Sequence, residues 1–427
     1  CRRTSKQSPP PDPATSLGRL ASLVESLLPE RLGTGFRWLL GSSWLSNLGD
    51  GIVMSAGPLL VASQTNDPFL VSLAFLLQML PWLLFGLIAG ALADRWNRKR
   101  MVVVVDLVRA GVLGLLGLTI ATDTVSIVVV LATLFVLGTA EVFADTATST
   151  LLPSLVARDD LAIGNARVQT GYVTLNMLVG PPIGAFLFAT GMVLPFVTEA
   201  LLIAGSVVLV SRVALTRPAD PGTESRVRQD IAEGFRWVVH HAAVRTLVLT
   251  IFIFNITYGA AWSVLVLYAR DHLGMGEVGF GLLTTVSALG GLVGTATYGW
   301  ITKRLSLGDI MRIGLIVETL THLALALTST PWVAMLIFFV FGAHAFIWGT
   351  TSSAVRQRAV PNALQGRVAS VNGMGVFGGL VFGAGIGGVI ADHWGLTGPF
   401  WFAFVGSAVF VVAIWKQLAH IAHADQD

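Results

Sequence analysis

An all-α integral membrane protein of twelve spanning helices, arranged as two bundles of six, is the fold class this sequence predicts. Three observations predict it. Hydrophobic residues make up 54% of the 427-residue chain and charged residues only 12%, with a mean hydropathy of +0.74. So little polar surface does not cover a water-soluble protein. Apolar runs of about 20 residues, enough to cross the hydrocarbon core of a bilayer, recur along the whole chain. The cations, finally, are sorted into alternate gaps between those runs.

Taken in order, the runs predict spans at 36–61, 68–92, 101–121, 125–150, 163–189, 193–212, 246–268, 278–301, 310–328, 332–355, 366–390 and 397–417. Several gaps are only a few residues long, so neighbouring spans form antiparallel hairpins. Residues 1–34 contain Pro, Ser and Arg with one short amphipathic run at 17–28, and read as a flexible cytoplasmic tail; 419–427 read as a second tail. No cleavable signal peptide is visible, and the first span itself can direct insertion. Cys1 rather than Met opens the chain, which leaves room for a start upstream.

Residues 213–245 interrupt the pattern. Arg217-Pro-Ala-Asp-Pro-Gly-Thr-Glu-Ser is a polar linker, and 227–239 has the pattern of an amphipathic helix at the membrane surface. The linker divides the spans six and six, into bundles at 35–212 and 246–418.

Charge sets the orientation. Each Lys or Arg at mid-membrane costs roughly 2.5–3.5 kcal/mol on insertion scales, and cytoplasmic loops collect them. Of the 27 cations, 25 fall in the first tail, the linker and the turns after even-numbered spans, or in the span ends that adjoin that same side. Arg270 is alone on the other side, and Arg109 lies inside span 3. Both termini are therefore expected in the cytoplasm. The net charge of +3 resides in these short loops and does not point to nucleic acid.

The halves echo each other. Arg37 precedes Asn47 by ten residues, and Arg245 precedes Asn255 by ten. Asn47-Leu-Gly-Asp50-Gly51 parallels Asn255-Ile-Thr-Tyr258-Gly259, and Gly86 and Pro153 stand 208 residues before Gly294 and Pro361. This is the pattern of a parallel two-half repeat.

Between spans 2 and 3, Gly90-x-x-x-Asp94-Arg95-x-x-Arg98-Lys99 resembles the signature loop of the major facilitator superfamily. Asn97 replaces its inner Gly, where Asn also tolerates left-handed backbone. Lys303-Arg304 stands at the corresponding turn of the second half, without an acid to match Asp94. Three further stretches resemble one branch of that superfamily, the macrolide-efflux and enterobactin-exporter type of proton-coupled exporter. They are Val142-Phe143-x-Asp145 leading to Leu152-Pro153, Glu233-Gly234-Phe235-Arg236-Trp237, and Val360-Pro361-Asn-Ala-Leu-Gln-Gly366-Arg367-Val368. The resemblance spans roughly 35–418. It implies the major facilitator fold and a monomeric secondary transporter that exports a small amphipathic compound, a drug or a siderophore-like metabolite, by proton antiport with alternating access. It also implies a gate role for the loop: Asp94 accepting from the positive amino end of another helix, and Arg95 pairing with an acid, to hold the outward-open state. Four cations pinning a turn inside is the plainer reading of the same loop. Uptake, or a sensor without net flux, are the alternatives in function.

Ionisable groups inside spans are the default functional candidates, because burying them is costly. Asp50, midway along span 1 and flanked by Gly49 and Gly51, is either a proton-exchanging acid or a permanently neutral one bonded to a neighbouring helix. Glu141 and Asp145 share a face of span 4, and Asp106 and Arg109 a face of span 3. Arg109 requires a carboxylate partner, from Asp106 or a span-4 acid. These four read as a gate network or as a static cluster tying spans 2, 3 and 4 together; for Asp106 and Arg109 the structural role is favoured. Glu318, His322 and His344 lie in the second half; Glu318 and His322 stand one turn apart and read as a proton relay, whereas a lone histidine in a span reads as a hydrogen-bonded packing residue. Glu199, near the end of span 6, reads as facing water. Asn47, Asp50, Asn255 and Tyr258, at equivalent depth in the two halves, are the candidates for a substrate cavity. Trp44, Trp82, Tyr172, Phe254, Tyr258, Trp262, Phe346 and Trp348 suit such a lining, although most aromatics in spans face lipid or pack helices. Gly180-Pro181-Pro182 breaks the helix ladder of span 5, which is tolerated when it faces a cavity. The glycines of spans 8 and 11 suit close crossings, sliding or static.

Nothing points to enzyme chemistry or to a cofactor. No phosphate-cradling Gly-rich loop ending in Lys-Ser/Thr is present, no His or Cys cluster has metal spacing, and Cys1 alone forms no disulfide framework.

Overall fold

The computed structural model describes residues 30–214 and 227–418. The expectations for residues 1–29 and 419–427 of the tails and for linker residues 215–226 lie outside the described residues, whereas 30–34, expected in the first tail, are helical: Glu30–Leu32 is a single 3-10 turn and span 1 starts at Gly33. Among the described residues there is no strand. Eleven of the described helices are long and apolar enough to span a membrane, and the shorter apolar helix Gly398–Ile414 makes twelve among the described residues.

In chain order the spans are Gly33–Gln64 (span 1), Pro68–Arg95 (2), Arg98–Ala121 (3), Ile127–Leu155 (4), Arg158–Thr190 (5) and Leu194–Ser211 (6). The second half follows as Ala242–Trp262 (7), Glu277–Ile301 (8), Leu307–Leu327 (9), Pro331–Ala359 (10), Asn362–Trp394 (11) and Gly398–Ile414 (12). Local chemistry sets their starts. The Asp67 carboxylate accepts from the amides of Phe69 and Leu70 ahead of Pro68, and Ser126 and Ser306 cap spans 4 and 9 in the same way. Asn97 turns out to be an N-cap too. Its side chain accepts from the Arg100 amide at φ −68°, so its value here is capping rather than left-handed backbone.

Two spans depart from plain helices. In span 5 the segment Tyr172–Val179 is a π-helix, and the Gly180 amide donates five residues back to Leu175. The wider turn accommodates Pro181 and Pro182, which have no amide proton to give. Span 7 breaks after Trp262 and resumes only as Leu265–Leu267 and the π-turn Tyr268–His272, where the apolar run alone predicts unbroken helix to 268. Between the halves, Val227–His240 is an amphipathic helix packed on spans 7 and 11, where Arg367 pairs with Asp230 and Glu233 at 2.8 Å each.

Packing repeats the two-half design. Span 1 lies on spans 5 and 6, span 2 on span 4, and span 3 on spans 4 and 6. In the second half span 7 lies on 11 and 12, span 8 on 10, and span 9 on 10 and 12. The halves meet through two crossings that are each other's counterparts, span 2 with span 11 and span 5 with span 8. Taking the end rich in Lys and Arg as the basic end, the contacts of these crossings run from mid-span to the opposite end. Trp82 stacks on Phe377 at 5.2 Å near the middle; Leu76 meets Gly385, and Ser72 meets Gly388, further out. Arg270 then bridges the opposite end, donating to Ala62 O and Asn66 Oδ1 at 2.8 Å each while Asp271 holds its guanidinium.

Candidate functional site

The first bundle is built around one buried guanidinium. Arg109 of span 3 is only 2% exposed and reaches spans 1 and 6 as well as the preceding turn of its own helix. Its Nη1 donates to Asp106 Oδ1 at 3.3 Å and to Ser46 Oγ at 3.2 Å. Its Nη2 pairs with Asp50 of span 1 and, at 3.5 Å, with Glu199 of span 6. Ser46 also donates to Asp50, and Ser206 to Asp106 at 3.4 Å. Small residues make this convergence possible. A Cβ on Gly180 would lie 2.6 Å from Gly51 Cα, so spans 1 and 5 touch backbone to backbone beside Asp50.

Arg109 therefore has carboxylate partners on spans 1, 3 and 6, so the cluster ties those spans together rather than spans 2, 3 and 4. Glu199 is the clearest correction to the sequence reading: it is 2% exposed and ion-paired, not facing water. A sequence signal existed in Gly49, whose missing side chain leaves room for it; a Cβ there would meet Glu199 Cγ at 3.0 Å.

Beside the cluster lies a cavity of about 440 Å³. Asp50, Glu141, Asp145, Glu199 and Arg109 supply its charge. Met54, Met79, Trp82, Leu134, Tyr172 and Phe377 give it apolar, aromatic and thioether walls, and Gln78 and Asn176 add amides. Phe377 is its contribution from the second half. Asp145 and Tyr172 are exposed, both in the parts of spans 4 and 5 nearer the basic end. Among the described residues no Lys or Arg lies within ion-pair distance of Glu141 or Asp145.

The other candidates lie elsewhere. Asn47 and Asn255 each donate to the carbonyl four residues back in their own helix, Ser43 and Ile251, a matched pair in the two halves that does not line this cavity. Tyr258 stacks between Trp262 and Phe341 at 4.3 and 5.8 Å, also away from it. Glu318 Oε2 lies 3.5 Å from His344 Nε2 inside the second bundle. In the turn between spans 2 and 3, Arg98 donates to Ala93 O and Thr150 O, and Lys99 to Ser211 O and Val213 O, all within the first half. Arg95 is exposed, Gly90 has open space around it, and the side chain of Asp94 lies outside the described residues.

With this geometry in view, the similarities of the chain are informative. A family model described as "transmembrane secretion effector" matches residues 26–427. The chain is 30% identical to the multidrug efflux pump Tap of Mycolicibacterium fortuitum over 386 residues, 85% of this chain and 90% of that protein. It is 22% identical to macrolide efflux protein A of Streptococcus pyogenes over 368 residues, covering 83% and 88%. Among solved structures, a mutant of the nucleoside transporter NupG aligns with a TM-score of 0.74 at 13% identity, over 90% of this chain and 99% of that one. A bacterial homologue of the iron transporter ferroportin in an inward-facing state aligns at 0.71 and 16%, over 90% and 98%.

Proposed function

The chain belongs to the transmembrane secretion effector family of the major facilitator superfamily, and from that membership we propose that it exports a small amphipathic compound by proton antiport with alternating access. The observation that carries this reading is the surplus of acid in the first bundle: five carboxyls, Asp50, Asp106, Glu141, Asp145 and Glu199, gather around the single guanidinium of Arg109. Arg109 engages three of them. Glu141 and Asp145 face the cavity, and among the described residues no Lys or Arg pairs with them, so a proton or a positively charged ligand takes that part. Protons and a basic amphipath then compete for the same carboxyls, and each displaces the other; that competition is the elementary requirement of antiport.

The walls support the amphipathic half of the proposal. Trp82, Tyr172 and Phe377 offer flat faces, and Met54 and Met79 adapt to irregular shapes. Acids in such a wall favour a lipophilic base over an anionic, siderophore-like compound. The efflux named for Tap and macrolide efflux protein A supports export as the direction. With the basic end in the cytoplasm of a bacterial plasma membrane, the state described here is closed outside and loads its ligand from within. A monomer holds the whole cavity.

Efflux in inverted membrane vesicles tests the proposal, with macrolides, tetracyclines, cationic dyes and catecholate siderophores as the panel. The expected result is movement of a basic member of the panel with collapse of the pH gradient. Glu141→Gln and Asp50→Asn should each reduce that flux about tenfold or more. Flux of the same compound with no effect on the pH gradient would remove the antiport, and failure of the whole panel would favour a sensor over a pump.

A further inference from the structure

We propose that Glu318, His344 and His322 form a second proton-binding site, inside the second bundle. Glu318 and His322 stand one turn apart on span 9, and His344 reaches Glu318 from span 10. His344 Nε2 lies 3.5 Å from Glu318 Oε2. The Glu318 side chain is 13% exposed, that of His344 7%, and His322 is wholly buried, so the three run from a partly open carboxyl to a closed imidazole.

The nitrogens carry the argument. A neutral imidazole has one donor and one acceptor to satisfy. Among the described residues, His344 Nδ1 and both ring nitrogens of His322 have no hydrogen-bond partner, although all three are buried. An aliphatic side chain would fill the same volume without that cost, so packing does not account for two histidines here. Trp262 stands edge-on to His322 and Phe341 to His344, each at 6.0 Å, and neither supplies an acceptor. Tyr258, stacked against both of those aromatic rings, is the other titratable group of the surrounding wall. Arg312, further toward the basic end, is occupied with Asp309 and Trp415 O. Among the described residues no Lys or Arg lies within ion-pair distance of Glu318.

The repeat gives the location meaning. Asn97 caps span 3 and Ser306 caps span 9, and Arg109 and Glu318 each stand twelve residues beyond their cap. Glu318 thus takes the place in the second bundle that Arg109 takes in the first. One bundle holds a fixed cation among acids, and the other an acid among bases that can gain a proton. A proton arriving at the Glu318 carboxyl passes to His344 Nε2; the O–H bond breaks as the N–H bond forms, leaving a carboxylate beside an imidazolium. His322, one turn beyond Glu318 on span 9, is the wholly buried neighbour of that pair.

Histidine-selective ¹⁵N NMR of the purified full chain in lipid nanodiscs tests the site without any transported compound, so its outcome is separate from that of the vesicle fluxes. The two imidazole signals are expected to respond to pH together, as one coupled group, across the range in which the protein stays folded. His322→Gln and His344→Gln should each delete one signal and alter the titration of the other, and Glu318→Gln should alter both. Should His322→Gln fail to fold, the two partly exposed positions carry the same comparison. Signals locked in one neutral tautomer across the range, or indifferent to Glu318→Gln, would overturn the site.

Discussion

Arg109 holds three carboxylates at once, and its planar fork is what allows this; a Lys in its place presents one point charge and reaches fewer of them. Removing one partner of a buried pair typically costs about 3–5 kcal/mol, because the remaining charge is stranded. Arg109→Gln should therefore lower the thermal-unfolding midpoint of the detergent-solubilised protein strongly, and Arg109→Lys less. Adding Asp50→Asn to Arg109→Gln should recover a large part of the loss, since the stranded acid is removed with its partner. An unchanged midpoint in Arg109→Gln would show that the cluster contributes nothing to the fold. At this scale the sequence was a good guide wherever an ion interrupts an apolar run. Asp50, Asp106, Arg109, Glu141 and Asp145 stand out for that reason. Glu199 did not, because five residues into a span says nothing about which neighbour covers it; that depends on Gly49, a residue with no side chain to announce the contact. The pairing of Asn47 and Asn255 to their own helices was hidden for the same reason, since an amide in a span bonds its own backbone as readily as a ligand.

Helix-level features were legible to within a few residues where periodicity and caps agree, and illegible where the backbone departs from α geometry. The π-segment Tyr172–Val179 and the break of span 7 after Trp262 both sit inside continuous apolar runs, which report hydrophobicity and not hydrogen-bond register. Span 5 now carries a specific expectation. Its close approach to span 1 at Gly180 and Gly51 leaves no room for a methyl group. Gly180→Val should cost about 1–3 kcal/mol as an overpacked contact, with loss of yield and a lower unfolding midpoint. Gly86→Ala, where a Cβ meets nothing within 4 Å, should be neutral or stabilising by up to about 1 kcal/mol. Equal behaviour of the two variants in an unfolding scan would show that the crossing of spans 1 and 5 is loose.

On the scale of the whole molecule, the cation that charge sorting left alone turns out to bridge the halves. Arg270 belongs to the second half and donates to Ala62 O and Asn66 Oδ1 of the first, at the end opposite the basic loops. Its side chain is 37% exposed, so the two bonds are partly screened by water, and about 1–2 kcal/mol is a fair weight for them. A bias of that size changes the ratio of two conformations roughly tenfold. Cys1 is the single native cysteine, so a Cys1→Ser background reports cleanly on one introduced thiol. Thr170→Cys, exposed on span 5 toward the basic end, should react quickly with a membrane-impermeant maleimide in inverted vesicles. Ser72→Cys, fully buried where span 2 meets span 11, should react slowly from the other face. Adding Arg270→Ala should raise the Ser72→Cys rate about tenfold and slow Thr170→Cys as the population moves to the state open at the far end. If both rates stay as they were, Arg270 is a surface ion pair and the closure rests on the apolar crossings of spans 2, 5, 8 and 11. If Thr170→Cys reacts only from the outer face, the assignment of the basic end to the cytoplasm is reversed, and with it the direction of loading.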